Sequence, residues 1–150
     1  MEPVPVAQVD VPAAEASLPF LRRWAENVWK ETCPLAPPDG LHTFVLAVHE
    51  AFRNVIEHGC EEGRGPVRIE ITRTRGALMV RLTYDGIPFD GITAPASFDG
   101  TRDRGFGMYL MTRSLKRVTH TTLREGRQQL ELTKSIPRPK RVDNISGETK

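Results

Sequence analysis

Glu50, Asn54 and His58 stand four residues apart in HEAFRNVIEHG, residues 49–59. At roughly 100° per residue, that spacing draws one line along a helix, on the side opposite its apolar stripe. An asparagine carbonyl is a hard oxygen donor of the kind magnesium accepts beside phosphate oxygens and water. A carboxylate one turn earlier can orient or deprotonate an attacking hydroxyl. Ala47 leaves room beside the pair. A plain solvated helix face has the same spacing, and spacing alone favours it.

Two further stretches carry chemistry of the same kind. YDGIPFD, residues 84–90, reads as a strand end that leaves through Gly86 and is stiffened by Pro88. DRGFGMYLMTRSL, residues 103–115, places Gly105 and Gly107 at the start of a helix. Backbone N–H groups there can approach an anion, and the helix dipole favours it. Arg102 and Arg104 add positive charge. Taken singly, the first is an ordinary turn and the second a weak motif.

Other eye-catching residues have plainer readings. Trp24 and Trp29 read as packing. Lys116, Arg117, Arg124 and Arg127 form a basic cluster without the interleaved aromatics of a nucleic-acid groove. Cys33 and Cys60 belong to no CxxC pair, which argues against zinc, and fit free thiols in a reducing cytosol.

The elements that must position these residues follow from periodicity. Residues 4–11 alternate as a short strand, and Pro5 confines it to a sheet edge. Residues 14–32 carry Leu18, Leu21, Trp24, Ala25 and Val28 at helical spacing, with Pro19 in the first turn. A second helix is expected over 40–58, capped by Asp39, with Leu41, Phe44, Val45, Val48, Phe52 and Val55 inward. Strands over 66–75 and 77–85 meet at Arg75-Gly76. A long irregular segment, 86–105, is of the kind that is functional or mobile. A third helix over 106–118 and a last hairpin from 119–125 and 127–134 complete the pattern. This order predicts an α+β fold, a two-layer sandwich with helices on one face of a mostly antiparallel sheet. The expected organisation is an N-terminal edge strand over 1–13, one domain over 14–134, and a disordered tail over 135–150.

Bulk properties agree with a single soluble domain. A chain of 150 residues can enclose one good core. A net charge of +2 gives no electrostatic case for nucleic acid. No secretory leader and no membrane-length apolar run are visible, so a cytoplasmic protein without membrane partners is expected.

The three stretches occur together in a fixed order, and in that order they resemble the histidine-kinase-like ATPase superfamily, also called GHKL or Bergerat. The likeness is nearest to the small anti-sigma-factor serine/threonine kinases of the RsbW type and covers roughly residues 14–134. HEAFRNVIEHG resembles that branch's EA-x-x-N-x-x-x-H, DGIPFD its G-x-P-F-D turn, and RGFGMYLMTRSLKRV its R-G-x-G-x-x-L-I helix. The resemblance implies a Bergerat ATP-binding fold with ATP and Mg2+ as cofactors. It makes Asn54 the magnesium ligand and Glu50 the catalytic base that activates a substrate serine. Tyr84, Asp85 and Gly86 fall in the nucleotide-pocket turn. Arg104, Gly105, Phe106 and Gly107 fall in the lid and helix start that contact phosphates. It further implies a homodimer that holds a sigma factor and phosphorylates a STAS-type antagonist.

The departures lie on one side. The family's turn begins D-x-G, and its aspartate accepts the adenine amino group; here Tyr84 stands at that position. Asp85 is acidic but belongs to the other face of a continuing strand. Gln128 falls where the family places a supporting threonine, to within one residue, and Lys116 where it places an acid. The metal and phosphate side is retained while the adenine side is altered. A catalytically silent interaction module, a pseudokinase, is therefore the second expectation.

Overall fold

The computed structural model describes residues 2–60, 65–86 and 115–136. Five strands form one open sheet: β1 (Val4–Pro12), β2 (Pro66–Thr74), β3 (Ala77–Asp85), β4 (Arg117–Thr122) and β5 (Arg127–Ser135). Their spatial order is β1-β2-β3-β5-β4, and every neighbouring pair is antiparallel. Among the described residues two helices accompany it, α1 (Leu18–Thr32) and α2 (Pro38–Asn54). The architecture is the expected α+β arrangement.

β1 is an edge strand, as Pro5 requires, and the register slips between Pro5 and Ala7. β2 and β3 turn through Gly76, whose φ of 74° is a conformation that glycine adopts without a Cβ penalty. Alternation then sorts each strand into two faces. Val67, Ile69 and Ile71 of β2, Leu78, Val80 and Leu82 of β3, and Leu130 and Leu132 of β5 are buried together. The helices complete this core with Leu21, Ala25, Trp29, Phe44, Val48 and Phe52. The Trp29 and Phe44 rings lie 5.1 Å apart and tilted by 34°, a favourable aromatic contact between α1 and α2.

Four local expectations are corrected. Asp39 does not cap α2, because Pro37 holds the cap position and Pro38 begins the helix. The fixed φ of a proline suits the first helical position, and Asp39 then complements the dipole from inside the first turn. The α-helical part of the second helix stops at Asn54, and Val55–Gly59 form a wider π-turn. The third helix does not reach 118. β4 begins at Arg117, where Val118 pairs with Leu132 and His120 with Leu130. The alternating residues RVTHTT satisfy their backbone groups on the edge of β5. The last strand extends to Ser135, one residue into the expected tail. Residues 137–150 of that tail, 106–114 of the third helix and most of the segment 86–105 lie outside the described residues.

Candidate functional site

α2 is buried on more than one side in its second half. Ala47, Val48, Glu50, Ala51, Phe52 and Asn54 are all inside. The polar row is therefore not a solvated face: Glu50 is 8% exposed and Asn54 5%. His58, expected on the same line, is exposed. The π-turn explains the loss. An i→i−5 bond, from Cys60 N–H to the Val55 carbonyl at 2.9 Å, closes a wider loop than α-helical bonds do and turns the residues after Asn54 out of phase.

Glu50 and Asn54 differ in what surrounds them. Glu50 borders a cleft of about 330 Å³ between α1 and α2, with Arg22, His42, Val45 and His49 also on its wall. Burial pushes its carboxyl pKa up, opposed by the charge of Arg53 and assisted by Glu57. His49 Nε2 stands 3.8 Å from the Glu50 carboxylate. Burial, with the charges of Arg22 and Arg53, pushes the imidazole pKa down, so His49 is neutral near pH 7 and the contact is not an ion pair there. Asn54 is the more exceptional residue. Its Nδ2 is buried without a hydrogen-bond partner, and among the described residues only His49 Nδ1 shares that condition. Buried polar groups are normally satisfied, so the unpartnered Nδ2 is a group that a water or a ligand could engage.

Magnesium fits that place by donor chemistry. The amide oxygen and nitrogen of asparagine exchange by rotating the carboxamide, so Asn54 can present a hard oxygen where it now presents an unused N–H. Among the described residues no cluster of three or more His, Cys, Asp or Glu side chains could hold a metal. A metal at Asn54 would draw its remaining ligands from phosphate and water, which is magnesium's habit.

The turn after β3 closes on this end of α2. Tyr84 is 2% exposed and faces the helices with Leu78, Val80 and Leu82. Asp85 points to the other face and is exposed, opposite Arg127. Two glycines let the turn and the helix end touch. A Cβ on Gly59 would come within 2.7 Å of the Tyr84 hydroxyl and ring edge, and one on Gly86 would fall on the Gly59 carbonyl oxygen. The structure thus seats Tyr84 and Gly86 on the π-turn that follows Asn54, while Glu50, one turn earlier, lines the cleft toward α1. Arg104, Gly105, Phe106 and Gly107 lie outside the described residues.

Two residues invisible to the sequence reading, His120 and Thr122, also gather here. The Tyr84 hydroxyl lies 3.3 Å from His120 Nε2. Gln128, 1% exposed, pairs directly with Tyr84 across β3 and β5, and its Oε1 accepts from the Thr122 hydroxyl at 3.0 Å. Tyr84, Gln128 and Thr122 form one polar row across the sheet end. The β4–β5 register produces it, and no local motif announces a register. Gly59 was the more legible clue, since a glycine ending a helix is a common stop, although its contact with Tyr84 is a tertiary fact.

Among the described residues no helix is long and apolar enough to cross a membrane. No curated protein matches the chain significantly. The sequence profile of the histidine kinase-like ATPase domain matches residues 11–134, from the end of β1 nearly to the end of β5. With that match over most of its length, the chain belongs to the histidine kinase-like ATPase domain family.

Proposed function

We propose that this protein is an Mg-ATP-binding regulator of the RsbW type, which holds a sigma factor as a homodimer in the cytoplasm and phosphorylates a serine or threonine of a STAS-type antagonist. One observation carries the reading: Glu50 and Asn54 lie one turn apart, both buried, at the end of α2, and the Asn54 carboxamide is unspent. When bound, Mg-ATP supplies an activated γ-phosphoryl group whose charge the metal and backbone donors neutralise. Asn54 would hold the metal through its side-chain oxygen. Glu50 takes the proton of the acceptor hydroxyl at its carboxylate oxygen, and its raised pKa brings its basicity nearer to neutral pH. The cleft between α1 and α2 gives that hydroxyl a path to Glu50, and the neutral His49 beside it leaves the carboxylate unneutralised. Arg104, Gly105, Phe106 and Gly107 would supply phosphate contacts, and Gly86 the close approach of the turn.

Calorimetric titration with ATP tests the reading, with and without magnesium. Magnesium-dependent binding is expected in the wild type, weakened about tenfold or more in Asn54→Ala by loss of the metal ligand. Absence of magnesium-dependent binding in the wild type overturns it. A second reading, a silent interaction module, is favoured by the altered residues Tyr84, Gln128 and Lys116. It predicts partner binding that is equal with and without nucleotide.

A further inference from the structure

We propose that the Tyr84 side chain stands where the base of a nucleotide would lie, so that this domain grips a nucleotide by its phosphates and metal and does not read the base. The inference rests on the phosphate-and-metal reading of Asn54 and concerns the other half of the ligand.

If the turn at Tyr84–Gly86 is the base-side turn that the family resemblance implies, a nucleotide whose metal meets Asn54 would bring its base to the junction of Gly59 and Gly86. That junction is filled. The Tyr84 ring edge and hydroxyl pack so closely on Gly59 that even a Cβ there would sit within 2.7 Å of them. Gly86 closes the same seam from the strand side, backbone against backbone. Behind the ring lies the buried Gln128, directly opposite Tyr84 in the register.

The polar groups around the junction are also committed. An adenine amino group needs an acceptor. The Tyr84 hydroxyl is within hydrogen-bond distance of His120, 3.3 Å away, and the Gln128 carbonyl already accepts from Thr122. Asp85, the nearest carboxylate in sequence, is exposed on the opposite face. Burial pushes the Tyr84 pKa up, so the phenol stays neutral and offers no carboxylate-like charge. The described residues therefore fit magnesium but not an amino-reading base pocket. Discrimination between bases arises from hydrogen bonds that one base completes and another leaves unpaired. With the ring packed into the junction and those groups already engaged in part within the protein, little discrimination remains.

Titration of the full chain with Mg-ATP, Mg-GTP and Mg-tripolyphosphate tests this. The wild type is expected to bind all three within about threefold of one another. Tyr84→Ala, checked for folding by thermal unfolding, empties the junction. It is expected to favour ATP over tripolyphosphate by about tenfold or more, through burial of the base. The wild-type comparison stands alone if that variant does not fold. A wild type that prefers ATP to GTP and tripolyphosphate by about tenfold or more overturns the inference and leaves the phosphate-and-metal reading intact. A wild type that binds none of the three overturns both.

Discussion

Replacing Glu50 by glutamine is expected to lower phosphoryl transfer about 10²- to 10⁴-fold, whether the acceptor is a serine or water, while the affinity for Mg-ATP changes little. The carboxamide keeps the shape of the side chain at the end of the cleft and removes only the proton acceptor. A merely structural Glu50 would not give that split, because a damaged fold would lose binding with turnover. The same substitution has a second, opposite consequence. Burial raises the pKa of Glu50 in the folded protein above its ordinary value of 4.5. The folded state therefore binds more protons than the unfolded state between the two values, and stability falls as pH rises through that window. Below it the carboxyl is neutral in both states and the penalty is absent. Glu50→Gln is thus expected to raise the thermal midpoint at pH 7 relative to wild type, with the gain disappearing below about pH 4.5. A general base that destabilises its own fold when ionised is a common compromise at functional sites.

The second large effect is expected at the two glycines that seat the β3 turn on α2. Overpacking a tight contact costs about 1–3 kcal/mol, and more where nothing can move. At Gly86 an added Cβ meets the Gly59 carbonyl, with the Cys60 Cα also close. These are backbone atoms, so Gly86→Ala is expected to cost about 3 kcal/mol or more in denaturant unfolding. At Gly59 the obstacle is the far end of a side chain, the Tyr84 ring edge and hydroxyl. Gly59→Ala is expected to cost less, about 1–3 kcal/mol, and to be partly rescued by Tyr84→Ala in a double-mutant cycle. Tyr84→Ala should not rescue Gly86→Ala. Equal rescue of both would mean that the seam is held by the ring alone and not by close backbone approach.

What could be read from the residues, and what could not, follows the range of the interactions involved. The strands of β2 and β3 were legible because alternation and Gly76 are local signals. β1 was legible as an edge because Pro5 cannot donate to a ladder. The polar row was legible as far as Asn54, where helical geometry holds. Beyond it the π-turn carried His58 away, and the seating of Gly59 on Tyr84 is set by a strand that begins eighteen residues further along. Spacing also misjudged the surroundings of Glu50 and Asn54. It read them as lying opposite the apolar stripe, whereas α2 is enclosed on that side too. The helix expected through 118 failed for a similar reason. β-branched Val118 already leans toward a strand, and pairing of Arg117 and Val118 with β5 decides their state. The contact of Tyr84 with His120 was beyond any local reading, because it depends on the register of two strands and a connection between them.

Asn54 is where the account is most exposed to test, since both the metal and the phosphate readings pass through its side chain. With manganese replacing magnesium, a bound metal–ATP complex broadens the nuclear magnetic resonance signals of groups close to it. The account predicts that saturating ATP with manganese erases the side-chain amide signal of Asn54, while backbone signals in the middle of β2, such as Ile71, persist. It also predicts that manganese without ATP leaves the Asn54 signal visible, because one carboxamide is a weak metal site alone. An Asn54 amide signal that survives saturating ATP and manganese would contradict the central claim.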